Sequence, residues 1–314
     1  MTVCVAASCE NGRIIVSATD GQLTYGDITA DVMSGKIVWI GEWELMFAGD
    51  PANAKMIFEQ VVRYCRENEQ QLTHENVKTV LTTAYKKRMA DCLASAVLAP
   101  YDMTFSEFKE QGLKIFGDKQ FGRISEALEY HANQYQDQLL LTGWGEEVTD
   151  AIIYQVDPYQ DRDHALAGIA AIGSGANVAL STLLMLGQSR HTGFLETVYN
   201  VAAAKFSAEK SYNSDVGQST AMNFHWKTPD EKGMTGRWIN DPELRQIRSI
   251  WEEYGRPRFP DQARIDLHNV MTQAGFQLGR YDGTQAMLST VHQAVKNAKR
   301  FALPSNPQKS EDQQ

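Results

Sequence analysis

Apolar positions along the first fifty residues alternate in short runs, and after them they recur at helical spacing. Residues 2–8 and 13–18 read as two strands joined by a Glu10-Asn11-Gly12 turn. Residues 36–40 and 43–48 read as two more, turned at Gly41-Glu42. Pro51 then sits at a helix start, and residues 52–68 carry Met56, Ile57, Val61 and Tyr64 at helical spacing. A second helix is predicted over 74–94, opened by Thr73 as its cap. Residues 96–125 are less regular, with turns at Tyr101–Thr104 and Phe116–Asp118, and the helical pattern resumes over 125–136. Strands return at 138–142, 151–156 and 168–172, followed by a Gly173-Ser174-Gly175 turn, helices over 176–186 and 195–209, a polar turn at 211–217 and a strand over 220–226. This grouping of strands and helices predicts an α+β fold, a four-layer αββα sandwich, and not a doubly wound parallel sheet.

Residues 227–236 read as a polar break containing Pro229 and Gly233. Helical patterns follow over 242–254, 261–275 and 284–301, and the last residues, 304–314, are polar and predicted to be disordered. The organisation expected is therefore a domain over 1–226 with an insertion near 96–136, a helical C-terminal extension over 227–303 and a tail over 304–314.

Composition narrows the function. The 314 residues are 43% hydrophobic and 22% charged, ordinary for a globular protein able to bury a large core. A net charge of −9 argues against nucleic acid or an anionic membrane as the main partner. No apolar run approaches the roughly 20 residues that span a bilayer. No export signal opens the chain, so a cytoplasmic location is expected. Cys4, Cys9, Cys65 and Cys92 form neither a CxxC pair nor a cluster with histidine, so no zinc site, disulfide framework or other cofactor is expected.

Thr2 is the residue with the most chemistry to offer. Removal of Met1 would leave a threonine whose hydroxyl and free α-amine sit on one residue, a nucleophile with its own base. Behind it, at strand boundaries, come Asp20 after the second strand, Lys36 entering the third, Gly49 ahead of Pro51, and Ser174 between two glycines. Each has an ordinary reading, as a turn residue, a solvated cation or a helix start. Their weight comes from occurring together and in this order. His164 and His191 lack a second ligand at metal spacing, and Gly173-Ser174-Gly175 lacks the lysine of a phosphate loop.

Four stretches resemble the proteasome β-subunit superfamily of N-terminal-nucleophile hydrolases, and the bacterial HslV peptidase within it. They are Thr2–Ala7, Asp20-Gly21-Gln22-Leu23-Thr24-Tyr25-Gly26-Asp27, Phe47-Ala48-Gly49-Asp50-Pro51-Ala52-Asn53-Ala54 and Ala171-Ile172-Gly173-Ser174-Gly175-Ala176-Asn177-Val178-Ala179. The resemblance covers about residues 2–226 apart from the middle region. It implies a threonine endopeptidase with Thr2 as nucleophile, Lys36 beside its hydroxyl, Asp20 holding Lys36, the Gly49 N–H as oxyanion donor, and Ser174 and Asp215 positioning the α-amine. Substrate contacts are implied for Leu23, Phe47, Gly49 and Asp50. Phe47 is expected to line the pocket for the residue before the cut, and Asp50 to bring a negative charge to the channel. The partners implied are further copies of the chain in a ring, peptide or unfolded protein as substrate, and an ATP-dependent unfoldase. The serine that follows the later aspartate in the family is only partly matched here, by Gln218 or Ser219. Two other readings stand beside the peptidase. One is a non-catalytic ring-forming scaffold, favoured if Met1 is retained; the other is an amidase acting on a small substrate.

Overall fold

Strand β1 (Cys4–Cys9) and strand β2 (Ile14–Asp20) form a fully buried hairpin whose turn places Glu10, Asn11 and Gly12 at positive φ. They are the centre of a five-stranded antiparallel sheet in the order β10 (Ile169–Ile172), β1, β2, β11 (Thr220–Lys227), β12 (Met234–Ile239). The second sheet is also antiparallel and runs β5 (Ile37–Ile40), β6 (Trp43–Ala48), β7 (Gln138–Trp144), β8 (Ala151–Val156), β9 (Asp161–Asp163). Strands β3 (Gln22–Tyr25) and β4 (Ile28–Asp31) pair with each other. The computed structural model describes residues 2–25, 28–31, 36–211, 216–227, 234–255 and 261–273, without side chains for 23–25, 28–31, 261, 262 and 264.

Alternation along each strand divides its side chains between two cores. Cys4 and Ala6 of β1, Met46 and Ala48 of β6, Leu140, Ile153, Ala170 and Ile172 form one cluster shared by the two sheets. Leu45, Leu139, Leu141, Tyr154 and Val156 project the other way, onto helices α1 (Pro51–Glu67) and α2 (Val77–Leu93). Helix α4 (Ala176–Met185) and helix α5 (Phe194–Lys210) pack together, and α5 lies on β1 and β2. Asn200 and Lys205 of α5 are buried along with its apolar residues. The fold is thus mixed α+β, with two antiparallel sheets and packed helices.

Several elements differ from the sequence pattern. Strands β3, β4, β9 and β12 were not expected. Residues 227–236, read as a break, end β11 and begin β12, whose Trp238 stands opposite Asn223. The irregular middle becomes a π-helical turn at Ala94–Leu98, a 3-10 turn at Ala99–Tyr101 and α3 (Phe105–Gln134), bent at Gly117 (φ 68°, ψ 168°). Thr104 and Glu107 close a capping box at its start, and Phe108 stacks on Phe121 with centroids 4.8 Å apart. This subcluster, with Leu93, Leu98, Ile124 and Leu128, is what holds the glycine-containing helix together.

Helix α6 (Asp241–Tyr254) opens with an Asn240–Glu243 capping box and ends at Gly255 in the left-handed region. Leu244, Ile247 and Ile250 are buried, and Trp251 packs on Phe206 of α5. The apolar stripe of α6 is therefore covered within the chain. Residues 1–268 form one compact unit and 269–314 a second, of which only the end of α7 (Asp261–Gln273) is described. The helix expected over 284–301 and the tail over 304–314 lie outside the described residues. Among the described residues no helix is long and apolar enough to cross a membrane.

Candidate active site

Thr2 lies just before β1, half-buried. Lys36 Nζ donates a hydrogen bond to Thr2 Oγ1 and also to Asp20, at 3.1 Å from Oδ1 and 3.3 Å from Oδ2. Lys36 is 2% exposed and Asp20 fully buried. An ion pair out of water persists only when its remaining hydrogen-bonding capacity is met. Here three backbone N–H groups complete the carboxylate: Val3 at 3.0 Å on Oδ1, and Gln22 and Gly217 at 3.2 Å on Oδ2. The result is a fixed cation against one hydroxyl.

The backbone of Thr2 is held from the other side. Its N–H donates to Ser174 Oγ at 3.1 Å, and its carbonyl accepts from Gly175 N at 3.1 Å. Gly173 sits at φ +90°, and a Cβ there would fall 2.3 Å from the Thr2 carbonyl oxygen. Close approach and backbone conformation both demand glycine. Gly173 N donates in turn to Gln138 Oε1 at 2.7 Å.

A cleft of about 410 Å³ opens over Thr2, lined also by Gln22, Ala48, Gly49, Gln138, Tyr159 and Ser174. Gly49 has φ +126°, and its N–H meets no acceptor among the described residues. The structure thus brings together Thr2, Asp20, Lys36, Gly49 and Ser174. It does not bring Phe47 into this cleft. Phe47 faces away from Ala48 by strand alternation, meets Phe58 edge to face at 6.2 Å, and lines a separate groove with Val38, Pro51 and Lys55. The expectation that Phe47 shares a face with Gly49 fails because β6 ends at Ala48 and Gly49 turns out of the strand. Asp50 is also absent from the cleft lining. Its carboxylate caps α1, accepting from Ala52 N at 2.8 Å. Leu23 has its backbone in β3, and its side chain is outside the described residues, as is Asp215.

Solved structures of Anbu share this architecture. The (Gly-1) mutant of Anbu from Hyphomicrobium sp. strain MC1 aligns with a TM-score of 0.54 at 14% identity, over 82% of this chain and 95% of that one. Anbu (ancestral beta-subunit) from Yersinia bercovieri aligns with a TM-score of 0.53 at 16% identity, over 81% and 94%. The fold is similar to that of Anbu. This corrects the family expected from the motifs: the fold match is to Anbu, and it does not support a proteasome β-subunit or HslV assignment. The motifs are short and specify strand ends and glycine turns, features that do not separate one branch of a fold from another. No family model matches the sequence, and no curated protein matches it. At this identity the likeness to Anbu speaks to the fold alone.

Within the Anbu-like frame a second buried cluster supports Asp20. Lys205 Nζ on α5 donates to Glu209 at 2.7 Å and to the carbonyls of Gly217 and Gln218 at 2.8 and 3.3 Å. Arg248 of α6 makes a two-point bond to Glu209 at 2.8 and 2.9 Å. Burial pushes the Lys205 ammonium down, and Glu209 counters it. The Gly217 N–H that reaches Asp20 therefore belongs to a segment pinned by α5 and α6. Sequence reading missed Lys205, Gln138 and Asp137 because each owes its place to a partner far along the chain; a lysine inside an apolar helix face was the available signal. Gln218 enters through its carbonyl, while Ser219 lines another cavity beside Ile37 and Trp238.

Cys4 is buried, its thiol donates to Phe47 O at 3.2 Å, and burial pushes its pKa up, so it packs rather than reacts. His191 bonds Asn11 and His164 bonds Gln155. Among the described residues no group of three potential metal ligands occurs.

Proposed function

We propose that this protein is a threonine-type peptidase in which Thr2, freed by removal of Met1, is the nucleophile. The observation that carries the reading is the Thr2 hydroxyl against Lys36, with Lys36 buried and paired to Asp20. A fixed cation favours the alkoxide, and a free α-amine, with an ordinary pKa of about 7.7–8.0, can take the hydroxyl proton near neutral pH. Attack on a peptide carbonyl forms a tetrahedral oxyanion at the Gly49 N–H. Collapse expels the amine product, which leaves with the proton held by the α-amine. Water then enters, the α-amine takes one of its protons, and the ester breaks to release the acid and restore Thr2. The layering that we propose for the domain is helix, sheet, sheet, helix.

Intact-mass measurement combined with an electrophilic peptide probe tests the reading. The expected result is a chain beginning at Thr2 that carries one probe adduct on Thr2. A chain that keeps Met1 and takes no adduct would overturn it and favour the scaffold. Self-association in a ring belongs to the same proposal; light scattering at micromolar concentration is expected to give a multiple of the chain mass, and a monomer mass would refute it.

A further inference from the structure

Asp137 stands immediately before β7, is 8% exposed, and takes no part in the chemistry above. Its Oδ1 accepts from Asp50 N at 2.7 Å, and its Oδ2 accepts from Asn53 Nδ2 at 2.6 Å. One carboxylate thus ties the peptide that follows Gly49 to the first turn of α1. Asn53 is fixed in turn, because its Oδ1 accepts from Arg88 Nε at 3.0 Å and Nη2 at 2.8 Å. The main-chain carbonyl of Asp137 accepts from the buried Tyr85 hydroxyl at 2.5 Å. Both ends of the clamp are therefore anchored on α2. Packing is equally tight: a Cβ on Gly49 would fall 2.0 Å from Asp137 Oδ1.

We propose that Asp137 is a positioning residue that holds the Gly49–Asp50 peptide so that the Gly49 N–H stays aimed at the oxyanion formed on Thr2 attack. The role of the Gly49 N–H rests on the peptidase reading; the clamp itself rests only on the geometry around Asp137. The Asp50 N–H is consumed by Asp137, and among the described residues the Gly49 N–H meets no acceptor. Both carboxylate oxygens face donors, so the ionised form satisfies the clamp better than the protonated one. Protonation turns one oxygen into a donor against another donor, and Asn53 cannot rotate to accept it without losing Arg88.

Burial raises the pKa of Asp137 above the ordinary 3.8, against the lowering effect of its hydrogen bonds. The groups facing it are Asp50 at the cap of α1, Tyr85, Arg88 and Cys92 from α2, and Tyr135 from its own segment. Of these, Asp50 pushes it further up. The clamp therefore opens as pH falls through a carboxyl pKa above the usual range.

The test compares wild type, Asp137→Asn and Asn53→Asp on a fluorogenic tripeptide amide across pH. The asparagine puts an amide NH2 against a donor at constant size. It is expected to lower kcat about tenfold or more, as misplacing an oxyanion donor does, with KM within about twofold. It should also remove the acid limb of kcat attributable to this carboxyl. Asn53→Asp sets a second carboxylate beside Asp137 and is expected to move that limb to higher pH, which no loss of folding would mimic. Hydrogen exchange over residues 48–54, read by mass spectrometry without substrate, tests the clamp independently of activity. Exchange is expected to rise in Asp137→Asn and in wild type at acid pH. Unchanged exchange together with an unchanged acid limb in both variants overturns the clamp. Changed exchange in a protein that cleaves nothing leaves the clamp standing, overturns its role at the oxyanion and removes the peptidase reading instead.

Discussion

Thr2→Ala is expected to reduce peptide turnover to background while leaving the fold intact. The Thr2 hydroxyl contacts Lys36 Nζ and meets no other polar partner among the described residues, so its loss frees no described partner except an ammonium already paired with Asp20. Alanine still supplies the backbone N–H and carbonyl that Ser174 and Gly175 hold. Lys36→Ala is expected to be almost as inactive, because residues acting as one unit lose nearly the whole rate when either is removed. It differs in stability. Asp20 keeps three backbone N–H partners but loses its counter-charge, and breaking a buried pair costs up to about 3–5 kcal/mol. Steady-state hydrolysis beside urea unfolding separates the two effects. Wild-type turnover in Thr2→Ala would sink the peptidase reading.

A large effect on stability is also expected at Glu44, which is not among the residues lining the cleft. Glu44 on β6 is fully buried and joins the two sheets. Its Oε2 accepts from Ser17 Oγ of β2 at 2.7 Å and from Thr142 Oγ1 of β7 at 2.8 Å, and its Oε1 accepts from Asn223 Nδ2 of β11 at 2.5 Å. His225, also fully buried, sits beside it with Nδ1 3.7 Å from Oε2 and 3.2 Å from Asn223 Oδ1. The imidazole is edge to face with Trp39 and Trp144. Glu44→Ala strips partners from three buried donors at once and is expected to cost about 3–5 kcal/mol in urea unfolding. A loss under about 1 kcal/mol would show that the network does not tie the sheets.

The same cluster gives a pH signature. Burial lowers the His225 pKa below the ordinary 6.5, and the nearby Glu44 opposes that only in part. The unfolded chain therefore binds this proton first as pH falls. The contribution is complete above about pH 6.5 and is lost progressively as pH drops toward the folded-state pKa. Substituting His225→Phe should flatten the stability profile between about pH 6.5 and that value; an unchanged slope would place the titration elsewhere.

The sequence by itself determined the local features. The alternation of β1, β2, β6, β7 and β8, the Pro51 start of α1 and the glycine turn at 173–175 follow from nearest neighbours in the chain, and the structure has them. The order of Thr2, Asp20, Lys36, Gly49 and Ser174 at strand ends was legible for the same reason, since a strand boundary fixes where a side chain emerges. Only the tertiary structure decided the rest. Phe47 and Gly49 are two residues apart, yet a positive φ at Gly49 sends them to different surfaces. The glycines of α3 weaken any helical signal, and aromatic packing restores the helix. Strand β12 exists because β11 offers an edge, something a polar sequence cannot announce. Lys205 shows in sequence only as a lysine on an apolar helix face and Asp137 not at all, because the Gly217 carbonyl and the Asp50 N–H they meet lie 12 and 87 residues away. Periodicity records which face of an element is apolar; it carries no record of which distant charge or N–H will meet it, and that meeting holds the candidate site in place.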